Sequence, residues 1–457
     1  MEKNLTTGNV FKTIVSFSLP FLFSYFLQTL YGMADLFIIG QFNGVDSTTA
    51  VSIGSQVMHM LTVMIVGLAM GSTVMIGKAV GAQKKEDAST AIGNTIILFL
   101  IFSVIATAIL LLCVKPIVSV MSTPAEAVSG TVSYLTICFM GIPFITAYNV
   151  ISSIFRGLGD SKSPMSFIAI ACIVNIGLDY LLIGGMGIGP AGAALGTTLA
   201  QTVSVLVSLF IILHKKSGII LHREHFHLNR NMIGSLLKIG FPVACQDGFI
   251  QIAFLVITVI ANKRGLTDAA AVGIVEKIIG ILFLVNSTML STVSALSAQN
   301  IGAGRHDRAR QTLKYALLIT SSFGLICVIT MQLAAEPFIG LFTKDAAVIC
   351  MGAQYMHGYV FDCILAGIHF CFSGYFCAYG KSWISFVHNV IAIVCARIPL
   401  VYLASVCFPA TLLPMGLATC TGSFVSVIIC VIFFVWIFVS VQYPHRYEPQ
   451  AHKNQLR

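Results

Sequence analysis

Charge is what this chain has least of. Only 9% of its 457 residues are Asp, Glu, Lys or Arg, where a soluble domain carries about 25%. A chain this long would still need a wet polar surface, and so few charges cannot supply one. Close cysteine pairs are also missing: none of the 13 cysteines forms a C-x-x-C pair, and most, such as Cys113, Cys138, Cys172, Cys327 and Cys430, sit in apolar runs. That argues against a zinc module or a disulfide scaffold and for small buried hydrophobes. There is no G-x-x-x-x-G-K-[ST] phosphate loop, so ATP-driven work within the chain is not expected. No nucleophile–base constellation appears, so an enzyme is not expected either.

What is abundant is apolar sequence, at 57% of residues with a mean hydropathy of +0.92. Long apolar runs alternate with short polar breaks and predict twelve helices, at 11–40, 51–77, 90–114, 131–157, 164–185, 191–213, 236–261, 269–299, 312–335, 350–379, 383–406 and 413–440. Each reaches the ~20 residues that a bilayer crossing needs, and helices satisfy their own backbone where no water is available. The first segment is far longer than the ~7–15-residue core of a signal peptide, so it reads as a retained span. The fold class expected is all-α integral membrane.

The basic residues give an orientation. With the N-terminus in the cytoplasm, 20 of the 26 Lys and Arg fall on the cytoplasmic side, 4 on the other, and Lys277 and Arg397 within spans. This split obeys the positive-inside rule and predicts a multi-pass protein of the cytoplasmic membrane with both termini inside. It also accounts for the net charge of +9 without nucleic acid. The LHREHFH run at 221–227 reads as a solvated loop rather than a metal tract.

The chain repeats itself. Gly81 and Gly302, Pro116 and Pro337, Gly159 and Gly380, and Val51 and Val272 are each separated by 221 residues, and VGAQKKEDA (80–88) echoes IGAGRHDRA (301–309). Two six-helix lobes follow, 1–213 and 236–441, joined by a basic connector at 214–235 and followed by a tail at 442–457. An even number of spans per lobe starts both on the same side, which relates them by an axis along the membrane normal, a transporter plan with the path between the halves. GLAMG (67–71) is a G-x-x-x-G pattern of the kind that packs helices closely in membranes.

Five acids fall inside spans: Asp35, Asp179, Asp247, Glu276 and Asp362. Each costs about 2.5–3.5 kcal/mol at the centre of a lipid-exposed helix, so they are expected to face the protein interior. Gln28, Tyr31 and Asp35 share one face of the first helix at i, i+3, i+7, downstream of Pro20, which can kink that helix and serve as a hinge. Asn175 and Asp179 share a face of the fifth helix, and the short glycine-rich turn 184–192 sets the sixth, with Thr197, beside it. Two carboxylates, an amide and a hydroxyl form an oxygen-rich set suited to H⁺ or Na⁺. The repeat supplies a control, because Asn175 and Asp179 correspond to Ala396 and Leu400, and Asp35 to Val256 or Ile257. The polar set occurs in the first half alone. Glu276 is a candidate for the cavity or for a salt bridge; Asp247 and Asp362 read as structural, with Arg397 a possible partner for any of the three.

The strings LPFLFSYFLQTLYGMADLFIIGQFNG (19–44), GKAVGAQKKEDA (77–88) with its twin AQNIGAGRHDRARQ (298–311), and SSIFRGLGDSKSP (152–164) resemble the multidrug and toxic compound extrusion (MATE) family, in the bacterial branch of the DinF and MepA proteins. The resemblance spans about residues 11–440. It implies a first-lobe cation site of Asp35, Asn175, Asp179, Thr197 and the backbone carbonyl of Ala193, and substrate-facing Gln28, Tyr31 and Tyr134. It implies no second-lobe pair of the NorM-like kind, since Ile250 and about Ala366 stand there. The function so implied is an H⁺- or Na⁺-coupled antiporter that exports organic, often cationic, amphipathic molecules by alternating access, working as a monomer among membrane lipids and without a cofactor. The rivals are a lipid-linked oligosaccharide flippase of the same superfamily and a non-transporting receptor or channel.

Overall fold

The computed structural model describes residues 4–214 and 222–439. Residues 215–221 of the connector and the tail at 442–457 lie outside them. Twelve helices follow one another: α1 (Val10–Phe42), α2 (Val45–Gly81), α3 (Lys85–Val120), α4 (Ala125–Met140 and Ile142–Gly157), α5 (Lys162–Gly185), α6 (Pro190–His214), α7 (Arg230–Asn262), α8 (Leu266–Gly302), α9 (His306–Gly340), α10 (Ala346–Tyr359 and Asp362–Ala378), α11 (Trp383–Cys407) and α12 (Leu413–Phe434, with a π turn at Val435–Val439). Among the described residues nine helices are long and apolar enough to cross a bilayer, and α4 and α10, each bent into two segments, raise the number to eleven. The remaining helix, α8, carries Asp268, Glu276 and Lys277 in its first third and packs along α2, α9 and α10. Several helices run beyond their expected bounds because their polar ends continue in regular hydrogen bonding past the apolar stretch.

The duplication is visible in the backbone. The bend of α4, 51°, falls at Gly141, and that of α10, 40°, precedes Asp362, the residue 221 positions later. Gly159 and Gly380 both take positive φ, 83° and 73°, and Gln83 and Gly304 match at 58° and 70°. Each half has its own core. One joins Ile38, Val51, Tyr134, Leu135 and Ala193, and the other Ile257, Val272, Ile279, Tyr355 and Met415.

The halves meet at the end of the bundle that carries most of the basic residues. A side chain at Gly81 would collide with the carbonyl of Gln299, and one at Gly302 with that of Lys78. Lys78 and Gln299 are themselves 221 apart, so the two contacts exchange under the repeat. Gly71 presses on the Leu236 carbonyl and Gly240 on that of Leu68. Gly67, the other glycine of the GLAMG pattern, lies against the backbone of Ala244. Lipid gives no hydrophobic reason for helices to associate, so this backbone-to-backbone fit is what holds α2 against α7 and α8. Further along, Gly54 of α2 packs on Tyr134 of its own half, while Ile257 and Ile260 of α7 pack into the core of theirs. The halves are thus closed against each other at the basic end, while further along these helices pack within their own halves.

Two other features tie that end together. The start of α1 packs on the second half: Ile14, Phe17 and Phe21 join Met289, Leu313, Phe372 and Tyr375, Arg305 donates to the Thr6 carbonyl at 2.7 Å, and Arg308 to those of Gly8 and Thr7. Of the 221–227 run, Leu221 lies outside the described residues; His222, Arg223, Glu224, Phe226 and His227 are exposed, as expected of a solvated loop, and one residue is anchored. Residues Arg223–Phe226 form a 3₁₀ turn with His225 buried, its Nε2 2.8 Å from Glu86 Oε2 and its Nδ1 accepting from the His222 amide. Gly93 of α3 leaves the room for it, because a Cβ there would strike the His225 carbonyl.

Candidate cation site

The polar residues of the first half converge between α1, α5 and α6. Asp35 is 2% exposed, Asn175 1% and Asp179 0%. Asn175 and Asp179 stand one turn apart on α5, so both reach the same neighbour. Asp179 is the last α-helical residue of that span; Tyr180–Gly185 continue as a π turn, a local widening that often accompanies function. Gly187 and Gly189, at φ of 66° and 62°, then turn the chain, and Pro190 opens α6 alongside. Thr197 Oγ1 donates to Asp35 Oδ2 at 3.0 Å. The side chains of Asp179 and Asn175 stand beside the Asp35 carboxylate without forming a hydrogen bond to it. Gly196, next to Thr197, supplies the space: a Cβ there would overlap the Asp179 carboxylate and touch Asn175.

What this set lacks is a positively charged partner. Asp35 Oδ1, both oxygens of Asp179 and both amide atoms of Asn175 are buried without a partner, and no ion pair with Lys, Arg or His involves either acid among the described residues. A buried ion without compensation costs several kcal/mol, and two facing carboxylates compound it. A proton or a small cation placed between them relieves such an arrangement. The oxygen-only donor set fits a hard cation, and no His, Cys, Asp, Glu cluster of the transition-metal kind occurs among the described residues.

The second half resolves the same problem with protein groups. Asp362 accepts from Arg397 Nη2 at 2.7 Å, and the same nitrogen donates to Ser423 Oγ at 2.9 Å, all buried. Arg397 thus pairs with Asp362 rather than with Asp247 or Glu276. Ala396 is buried and Leu400 is 39% exposed, so the counterparts of Asn175 and Asp179 hold no polar group. Ile250 and Ala366 line an apolar-walled cavity that Arg397, His369 and Asn389 also reach.

Of the other candidates, Tyr31, Tyr134 and Ala193 stand around the Asp35 group, and Gln28, Pro20 and Glu276 stand apart from it. Tyr31 accepts from Gln201 Nε2 at 3.4 Å, one turn below Asp35. Gln28 lines a cavity beside Tyr25, Tyr148 and Arg156. Tyr134 backs the site from the core, its ring filling the space beside Gly54. Ala193 is buried one turn before Thr197. Pro20 lies inside an unbroken α1. Glu276 is in the second half, accepting from Thr258 Oγ1 at 3.2 Å near Tyr355 and Tyr359, away from the Asp35 group. Asp247 faces Gly67 where the halves touch. Gln201, four residues beyond Thr197, could have been found by spacing. Gly196 and the burial of Arg156, which the charge split assigned to the cytoplasmic side, carried no such signal.

A duplicated bundle of membrane-crossing helices, closed at one end and holding a polar site in one half, is a membrane carrier. The sequence pattern of the MatE family matches residues 20–181 and again 242–403, so the chain belongs to the MatE family. It is 27% identical over 403 residues to the probable multidrug resistance protein YpnP of Bacillus subtilis strain 168, covering 88% of this chain and 90% of that one. It is 25% identical to the FAD transporter of Shewanella oneidensis MR-1, over 91% and 94% of the two chains. In fold it is similar, with a TM-score of 0.89 at 22% identity over 96% and 98% of the chains, to an outward-facing multidrug resistance MATE family transporter of the MOP superfamily.

Proposed function

We propose that this carrier is a multidrug exporter that couples the outward movement of organic, often cationic, amphipathic molecules to the inward movement of H⁺ or Na⁺ bound at Asp35, Asn175, Asp179, Thr197 and the Ala193 carbonyl. The observation that carries the reading is the buried carboxylate pair, without a positively charged partner, present in one repeat and absent from the other. Packing alone gives no reason for that asymmetry, and an ion site does. The multidrug names of relatives such as YpnP support the cargo class.

In this reading residues 1–213 and 236–441 move as two lobes about the connector at 214–235, with Pro20 as a hinge in α1. The basic end faces the cytoplasm of the cell membrane, with both termini inside, which makes the closed state an outward-facing one. A proton or Na⁺ entering from outside neutralises the carboxylates, removes their attraction for a cationic cargo and frees it. Gln28, Tyr31, Tyr134 and Glu276 contribute polar or aromatic contacts to the cargo, and a monomer suffices.

The test is efflux of an organic cation from proteoliposomes under a pH gradient without Na⁺, and under a Na⁺ gradient at fixed pH. Efflux driven by either gradient against the cargo's own gradient is expected. Flux that only follows the cargo gradient, whatever ion gradient is imposed, overturns the antiport reading and favours a channel.

A further inference from the structure

Lys78 of α2 and Gln299 of α8 hold corresponding positions in the two halves, 221 residues apart. Their carbonyls abut Gly302 and Gly81 of the opposite half, and their side chains also reach across. Gln299, 1% exposed, donates from Nε2 to the Gly157 carbonyl at 3.0 Å, and its Oε1 accepts from the Leu5 amide at 3.1 Å. Lys78 is half-buried, and its Nζ lies 3.9 Å from where a Cβ on Gly380 would stand. It forms no ion pair among the described residues.

The two places they reach are one structure made twice. α4 ends at Gly157 and α10 at Ala378, residues that correspond under the repeat. Past each end the chain turns through a glycine of positive φ, Gly159 or Gly380. In α4 the amides of Gly159 and Asp160 donate to the Arg156 and Phe155 carbonyls at 3.0 and 2.9 Å. In α10 the amides of Gly380 and Lys381 donate to the Cys377 and Phe376 carbonyls at 2.9 and 2.8 Å. Such a turn satisfies two of the terminal carbonyls and leaves that of the last helical residue unclaimed. At α4 this carbonyl, of Gly157, is taken by Gln299. At α10 the counterpart is that of Ala378, and the group the other half sets beside this turn is the Lys78 ammonium. The C-terminal end of a helix is partially negative, and a Lys side chain is favoured there.

We propose that Lys78 and Gln299 are paired latches, one charged and one neutral, that hold the basic end closed by gripping the ends of α10 and α4 in the opposite half. Each spans the boundary between the halves, so both let go before α2 and α8 separate there. The proposal rests on the alternating-access reading, in which this end opens to load cargo. It is tested without transport, so failure of ion-coupled export leaves its result unchanged, and failure of the latches leaves the flux test unchanged.

The experiment is hydrogen–deuterium exchange of the full chain in nanodiscs, read by mass spectrometry at the turns 78–84 and 299–305, where local opening sets the rate. Lys78→Ala should speed exchange in both turns about fivefold, the scale of a cation lost from a partly buried helix C-terminus. Lys78→Gln should stay close to native, because Gln299 shows that a glutamine at this position of the repeat reaches the terminal carbonyl. Gln299→Ala should act as Lys78→Ala does and more strongly, since it also frees the Leu5 amide. The two Lys78 variants alter a half-buried side chain and decide the matter if Gln299→Ala does not insert. Native exchange in Lys78→Ala overturns the proposal, and so does exchange in Lys78→Gln as fast as in Lys78→Ala.

Discussion

The carboxylate of Asp179 occupies the volume in which a side chain at Gly196 would stand. The acid on α5 is thereby drawn against α6, within reach of Thr197 and Asp35. Gly196→Ala forces the carboxylate aside or the helices apart, a form of overpacking that costs about 1–3 kcal/mol. Ion-driven efflux is expected to fall tenfold or more while the protein still inserts, since 1.4 kcal/mol corresponds to about a factor of ten. Gly177→Ala is the control. It lies on α5 with nothing near its absent side chain, and efflux in that variant should stay close to native. Flux measurements on membranes with matched protein content decide between the two.

Asp35→Asn and Asp179→Asn are nearly isosteric and remove charge and proton exchange without altering volume. Each is expected to abolish ion-coupled efflux. Thr197→Val keeps shape and loses one donor to Asp35, a hydrogen bond to a charged group worth about 1.5–3 kcal/mol; it should weaken coupling without ending it, and Thr197→Ser should restore most of it. Leu400→Asn, at the counterpart of Asp179, should be mild. Comparable losses from Asp35→Asn, Asp179→Asn and Leu400→Asn in the same flux assay would make the asymmetry of the halves a matter of packing.

Much of this architecture is written in the chain in a form that short-range rules can read. Twelve apolar runs, a constant offset of 221 residues and polar residues at i, i+3, i+4 and i+7 are all local or periodic patterns. They suffice to put Asp35 on one helix face and Asn175 with Asp179 on another. Features made by contact between distant segments carry no such pattern. Asp362 and Arg397 pair across 35 residues, and nothing in the spacing chooses Asp362 over Glu276. Arg156 sits beside a polar turn and looks like a loop cation, yet the docking of α1 covers it. Gly196 acts through a missing side chain. The bend at Gly141 is an intermediate case, since Gly141-Ile142-Pro143 is a break signal set within an otherwise continuous apolar run.

The Asp362–Arg397 pair is expected to be structural. Removing one partner of a buried pair leaves an uncompensated charge and costs about 3–5 kcal/mol, whereas replacing both with apolar groups of similar volume is often neutral. Asp362→Leu should lower the thermal unfolding temperature of the detergent-solubilised protein sharply, and Asp362→Leu with Arg397→Met should recover most of it. Efflux by the double variant should remain within a few-fold of native. A double variant that is stable and inactive would instead place the pair in the transport cycle.

Closure at the basic end rests on glycines that let backbones touch, and this makes the balance between conformations adjustable at single atoms. Gly240 meets the Leu68 carbonyl and Gly71 that of Leu236, and neither partner is a flexible side chain that could swing away. A methyl group at either position therefore prevents full approach of α2 and α7 in the closed state and costs nothing once the halves have separated there. Destabilising one of two states by about 1–3 kcal/mol shifts their ratio by one to two orders of magnitude. Gly240→Ala and Gly71→Ala are expected to populate a state open at the basic end. Cysteines introduced on α2 and α7 near Leu68 and Leu236 should then react faster with a membrane-impermeant thiol reagent applied to that face. Arg308→Gln, which frees the Thr7 and Gly8 carbonyls from α9, should act in the same direction and more weakly, because solvent can replace the hydrogen bonds it loses but cannot relieve a backbone collision. Unchanged reactivity in both glycine variants would mean that this contact does not move during the cycle.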